Sequence, residues 1–116
     1  MKIFLSTVLL SFALCAHAQA PWKMVEGRIS TPWAKQVDPS KPLPEYPRPQ
    51  LERSEWTNLN GLWDYAIRPA TDTAAAGYDG KILVPFAVEA ALSGVGKNVG
   101  ADQKLWYKKS VTLPAT

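Results

Sequence analysis

The chain has almost none of the side chains from which most metal sites and nucleophilic sites are built. Its 116 residues include one cysteine, Cys15, and one histidine, His17, and both precede residue 19. Residues 19–116 therefore cannot form a disulfide, a zinc site with Cys or His ligands, or a catalytic dyad or triad that uses either residue. We expect no metal ion and no cofactor in this part of the chain.

A strong excess of one charge is also missing. The sequence has 13 Lys and Arg against 10 Asp and Glu, a formal net charge of +3. Lys108 and Lys109 are the only adjacent basic residues. Nucleic acid binding depends on clustered cations that neutralise phosphates, so we do not expect nucleic acid as a partner.

The single long apolar run lies at the N-terminus and is too short to cross a bilayer, which takes about 20 residues. It follows the basic start Met1-Lys2, extends from Ile3 to Ala16, and ends in the small-x-small pattern Ala16-His17-Ala18. These three parts are typical of a secretory signal peptide. We predict a signal peptide over residues 1–18, with cleavage near Ala18, and an exported protein that is periplasmic or extracellular.

Two alternatives explain the same run. The first is a retained membrane anchor, which its length disfavours. The second is lipidation of Cys15, which Leu14 disfavours because a small residue is expected before a lipidated cysteine. We expect no membrane contact after the signal peptide is removed.

Proline dominates the next segment and predicts an extended arm over residues 19–50. Each proline fixes its own φ and restricts the residue before it, so the closely spaced prolines between Pro39 and Pro49 exclude a helix or a central strand. Polyproline II or irregular extended backbone is the expected conformation. We predict that this arm lies across a folded body and is docked by its large aromatic residues, which are Trp22, Trp33 and Tyr46.

Three later blocks have the two-residue period of half-buried β-strands. The first alternates Trp63, Tyr65 and Ile67 with polar or small residues and ends at Pro69; the others are predicted over residues 81–84 and 104–113. In the third block, Leu105 and Tyr107 are predicted to share one face, which leaves Trp106 on the other, more open face.

The segments beside these strands are predicted to be turns. We expect a short turn of helix and a tight loop over residues 54–60, and one helical turn over residues 88–92. A glycine loop follows, in which Gly94-Val95-Gly96 resembles the start of a phosphate-binding loop. This loop opens no helix, so we do not expect a nucleotide site.

The order and spacing of the three blocks resemble the N-terminal sugar-binding domain of glycoside hydrolase family 2, which includes β-galactosidases, β-glucuronidases and β-mannosidases. The resemblance extends from about Tyr46 to Pro114. Its matching residues are Arg48-Pro49-Gln50-Leu51, Arg53, Trp56, Leu59 to Tyr65, Ile82 to Phe86, Glu89, Leu92-Ser93-Gly94, Leu105 to Lys109, and Leu113-Pro114.

The resemblance implies an all-β fold: a partial jelly-roll (galactose-binding-like) β-sandwich, preceded by the proline-rich extended arm. Residues 51–116 would be the start of this sugar-binding domain, and the domain would be incomplete. The family continues into an immunoglobulin-like sandwich and a (β/α)₈ barrel. The expected partners are therefore a carbohydrate, through the parent enzyme, and the C-terminal domains of the same polypeptide.

Catalysis in the family belongs to the barrel, where two glutamates about 5–5.5 Å apart act by the retaining mechanism. The acid/base glutamate there follows an asparagine, and this sequence has no Asn-Glu pair. We assign no catalytic residue, and we expect the chain to be inactive alone. The alternatives to a piece of a secreted glycosidase are a freestanding secreted carbohydrate-binding module and a secreted structural or protein-interaction domain.

Candidate contacts to sugar or to another domain are Glu89, Ser93 and Trp106. Glu89 and Ser93 belong to the loop after the Val84-Pro85 block, which reaches the active site in some members of the family. The asparagine that some β-galactosidases use in this loop has no evident counterpart here. Aromatic faces suit sugar C–H groups, which makes Trp106 a third candidate, whereas the alternation around Trp63 places it in the core.

Overall fold

A computed structural model describes residues 21–113 of the protein. The predicted signal peptide, Cys15 and Pro114 lie outside the described residues. The elements of the described part, in chain order, are a 3-10 helix at Pro32–Gln36, a 3-10 helix at Pro49–Leu51, strand β1 at Gly61–Pro69, strand β2 at Gly80–Val84, a 3-10 helix at Ala91–Ser93, and strand β3 at Gln103–Lys108.

The three strands form one antiparallel sheet in the order β2-β1-β3. On one face Trp63 lies opposite Ile82, and Tyr65 lies opposite Tyr107. Because side chains alternate along a strand, Ala66 points to the other face. The alternation predicted for the first block is therefore confirmed, and the described part of the chain is a β-rich fold with little helix.

The core lies on the face that carries Tyr65. Tyr65, Ile82 and Val88 form a buried cluster, and Val95 and Val99 pack against it. The three valines come from the loop that joins β2 to β3, residues 85–102, which we call the β2–β3 loop. Burial of a side chain such as Val88, which is 4% exposed, stabilises a fold by about 1.5–3 kcal/mol, so this loop is part of the core and not a loose connection.

The opposite face mixes apolar and charged side chains. Ala66 and Leu83 are fully buried there. Lys81 Nζ lies 2.6 Å from a carboxylate oxygen of Asp64, and both side chains remain about one-third exposed. An ion pair with that exposure contributes about 1 kcal/mol or less, so the apolar contacts dominate this face.

Strand β3 is shorter than the sequence predicts: it ends at Lys108 and not at Leu113. The pairing stops where Lys108 lies opposite Asp64, although β1 begins three residues earlier, at Gly61. Lys109 turns its ammonium group toward the carbonyl oxygens of Leu59 and Asn60, at 3.1 and 3.3 Å, and Leu113 is 81% exposed.

Two predicted helical turns are also misplaced. Residues 54–60 contain no helix, and the 3-10 turn lies earlier, at Pro49–Leu51, where a proline at its first position fits the fixed φ. The turn predicted over residues 88–92 is a 3-10 helix at Ala91–Ser93, ended by Gly94 at φ 79°. Glycine favours that left-handed conformation because it has no Cβ.

The predicted docking of the arm is correct for one aromatic residue and wrong for another. Trp22 is half-buried and contacts the β2–β3 loop. Trp33 is 68% exposed and docks nothing within residues 21–113. Tyr46 packs edge-on against Trp56, with ring centroids 5.0 Å apart, so it joins the arm to the segment before β1. Among the described residues, no helix is long and apolar enough to cross a membrane.

Candidate functional site

The β2–β3 loop is organised by the side chain of Ser93. Its hydroxyl oxygen lies 3.0 Å from the carbonyl oxygen of Val88 and 2.7 Å from that of Ala90, and it accepts the N–H groups of Val95 and Gly96 at 3.0 and 3.3 Å. A serine hydroxyl has one proton and two lone pairs, so these four neighbours use its full capacity. Ser93 is 0% exposed, and its hydroxyl therefore has no free position for a sugar.

Glu89 lies on the outside of the same loop and is exposed. Its negative charge acts on Tyr107 of β3: burial raises the pKa of the Tyr107 phenol above its usual value, and the charge of Glu89 raises that pKa further. The phenol therefore keeps its proton through the neutral pH range. Both side chains are exposed at the protein surface, and the charge of Glu89 acts on the phenol at longer range, because no hydrogen bond joins the two groups.

Aromatic rings extend this surface. Trp63 meets Tyr107 edge to face, with ring centroids 6.4 Å apart and an interplanar angle of 87°. Lys109 Nζ lies 5.7 Å from the centroid of the Trp63 ring. We name the group of Trp63, Glu89, Tyr107 and Lys109 the Tyr107 surface. It offers a carboxylate, a phenol, an ammonium group and partly exposed aromatic rings, the mixture of apolar and polar groups that small polar ligands require.

Trp106 lies on the opposite face of the sheet, where it pairs with Ala66. It is half-buried, whereas Tyr107 is 43% exposed, so the prediction that Trp106 has the more open position is wrong. The indole N–H of Trp106 is buried and has no hydrogen-bond acceptor within residues 21–113. A buried donor without an acceptor costs about 1–3 kcal/mol.

The three residues that the sequence singles out therefore do not form one site. Glu89 belongs to the Tyr107 surface, Ser93 lies inside the loop, and Trp106 lies on the other face. Sequence reasoning missed Tyr107, because a tyrosine that alternates with apolar residues is expected to be core. Its position beside Lys108 and Lys109, near the end of the last strand, is the sequence feature that could have indicated its exposure.

A second feature that the sequence does not indicate lies in the arm. Tyr46 and Trp56 form one wall of an open cleft of about 780 Å³, whose polar lining includes Arg48, Glu52 and Arg53. The cleft is wide and faces solvent along much of its length, and Trp56 is 43% exposed.

The carboxylate of Asp79 has a structural role. Asp79 accepts the backbone N–H of Ile67 at 2.9 Å and lies 2.7 Å from Arg68 Nη1. The Ile67 N–H first, and then the guanidinium of Arg68, hold the pKa of Asp79 below its usual value. This contact closes the connection between β1 and β2. Within residues 21–113, no group of three or more His, Cys, Asp or Glu side chains could hold a metal ion.

A scan of protein-family models finds none that matches the chain, and a search of curated proteins finds no significant match. The family resemblance of the sequence therefore stays a prediction.

Proposed function

We propose that this chain is the N-terminal part of a secreted glycoside hydrolase of family 2 that acts in carbohydrate metabolism. The parent enzyme hydrolyses O-glycosidic bonds by a retaining mechanism, and its two catalytic glutamates belong to a barrel outside these residues. Residues 51–116 are the start of a jelly-roll β-sandwich with a galactose-binding-like fold.

The observation that carries this proposal is the arrangement of the three blocks on which the resemblance rests. Each block contributes one strand, and the strands pair as a single antiparallel sheet with the first block in the centre. Antiparallel sheets with one apolar face are the building units of β-sandwiches. The sheet is therefore compatible with the first strands of such a fold.

The distribution of apolar residues supports the incomplete state of this fold. Large apolar side chains stay exposed in several parts of the described chain, including Ile29 at 101%, Leu51 at 70% and Leu113 at 81%. Where such side chains form a contiguous patch, the patch is typical of a contact site for another domain or partner.

The Tyr107 surface is the part of the chain that we assign to carbohydrate. Glu89 would accept hydrogen bonds from sugar hydroxyl groups, and the phenol of Tyr107 would donate one; Trp63, which packs partly buried against the core, would support the Tyr107 ring. Glu89 is then the candidate sugar contact, and Trp106, which pairs with Ala66 on the opposite face of the sheet, is not part of this surface.

The reading frame downstream of codon 116 tests this proposal at low cost. We expect an open frame that encodes further strands, then a barrel with an Asn-Glu pair. A stop codon at this position would contradict the proposal, and it would favour a freestanding secreted carbohydrate-binding module without catalysis.

A further inference from the structure

The N-terminal end of the arm is bound to the β2–β3 loop by hydrogen bonds to three loop carbonyl groups. The Val25 N–H donates to Ala91 O at 3.0 Å, and the indole N–H of Trp22 donates to Ser93 O at 3.3 Å. The guanidinium of Arg28 donates to the carbonyl oxygen of Gly96. We name residues 21–28 the strap.

Two glycines of the loop make room for the strap. A Cβ atom at Gly94 would lie 2.6 Å from Cδ1 of Trp22, and a Cβ atom at Gly96 would lie 3.1 Å from the methyl groups of Val25. A real Cβ does not approach another heavy atom within 3.0 Å, so a side chain at Gly94 would displace Trp22. The absence of side chains at Gly94 and Gly96 therefore allows the strap to pack closely against the Gly94-Val95-Gly96 motif.

The strap meets the loop at the residue that organises it. Ser93 accepts the Trp22 indole N–H with its carbonyl oxygen, while its hydroxyl group is bonded within the loop to Val88 and Val95, among others. Val88 is buried in the core, and the next residue, Glu89, is exposed on the outside of the loop. A displacement of the strap would thus be transmitted through Ser93 to the segment that carries Glu89.

We propose that the strap positions the β2–β3 loop, with Trp22 as the positioning residue, and thereby fixes the place of Glu89 on the Tyr107 surface. The consequence for sugar binding rests on the proposed function. The coupling between strap and loop does not, because it depends only on the contacts described above.

Hydrogen exchange of the full-length parent protein tests the coupling between the strap and the loop. Trp22→Phe keeps an aromatic ring but removes the indole N–H, and Val25→Ala removes the strap methyl groups that lie against Gly96. A net hydrogen bond contributes about 1 kcal/mol, which corresponds to roughly fivefold faster exchange. We expect at least this acceleration in peptides that cover residues 88–97, with unchanged exchange in β1.

The matched control is Trp33→Phe, the same substitution at an exposed tryptophan of the same arm, and we expect it to leave the loop unchanged. Exchange over residues 88–97 that stays within twofold of the parent chain in both strap variants would overturn the proposal. An equal acceleration in β1 would also overturn it, since it would mean general loss of stability.

A second measurement separates this proposal from the proposed function. Steady-state hydrolysis of chromogenic β-galactosides, β-glucuronides and β-mannosides by the full-length parent enzyme is expected to show a raised KM and an unchanged kcat in Trp22→Phe. Faster loop exchange with an unchanged KM would overturn the positioning of Glu89. If the full-length protein without substitutions hydrolyses none of these substrates, the proposed function is refuted. The exchange data still decide whether the strap controls the loop.

Discussion

Replacement of Ser93 by alanine is the sharpest test of how the β2–β3 loop is built. The hydroxyl oxygen accepts the N–H groups of Val95 and Gly96, and Ser93 is fully buried, so water cannot replace it without rearrangement. Loss of an acceptor for a buried N–H group costs about 1–3 kcal/mol. We expect Ser93→Ala to lower the free energy of local loop opening by about 2 kcal/mol.

Exchange of the affected amides measures this change directly. A loss of about 2 kcal/mol corresponds to roughly 30-fold faster exchange of the amides over residues 94–97 when exchange reports local opening. Ser110→Ala is the control, because Ser110 is an exposed serine close to the end of β3. If Ser93→Ala accelerates loop exchange by less than threefold, or no more than Ser110→Ala does, the hydroxyl group does not organise the loop.

Three further predictions concern charge and stability. Glu89→Gln should lower the pKa of Tyr107 toward its usual value, because it removes one of the two causes that raise this pKa. Ultraviolet titration of tyrosinate measures the change. An unchanged titration would show that the charge of Glu89 does not act on Tyr107. In the parent chain, the protonated phenol of Tyr107 stabilises the fold below the unfolded pKa of about 10, and this contribution should disappear as pH rises through the raised folded value. The pKa of Asp79 is lowered, so its effect on stability has the opposite pH dependence. The Asp79 carboxylate stabilises the fold above about pH 4, and this stabilisation should be lost as pH falls through the folded pKa. Asp79→Asn should remove this part of the acid sensitivity in denaturation curves. Residues 19–116 produced alone should aggregate or lack a cooperative thermal transition by light scattering and calorimetry, because three strands leave edges and apolar surface uncovered; a soluble monomer with one sharp transition would contradict this.

The strands could be predicted from sequence because their signal is local. Trp63, Tyr65 and Ile67 alternate with Asp64 and Ala66, and a half-buried strand requires that period. Pro69 also ends the strand as predicted. The end of β3 could not be predicted, because it depends on which residue of β1 lies opposite Lys108, and such pairing is a property of the whole sheet.

The candidate site was predictable only in part, for a related reason. The family resemblance drew attention to the loop that carries Glu89, because this loop reaches the active site in some members of the resembled family. It could not show that the Ser93 hydroxyl bonds to four neighbours within the loop: all four are close in sequence, but the irregular loop backbone that turns them toward the hydroxyl has no sequence pattern. It also could not show that Gly94 serves the strap, which comes from about 70 residues earlier.

Purification of the protein from its native cells tests the central claim most directly. An antibody raised against residues 21–113 would capture the mature protein, whose mass, N-terminal residue and activity on chromogenic β-glycosides are then measured. We predict a polypeptide much larger than the 12.8 kDa of this chain, which begins at Gln19 and hydrolyses at least one β-glycoside. A captured protein no larger than this chain, without hydrolysis after full purification, would contradict the assignment to a secreted glycoside hydrolase.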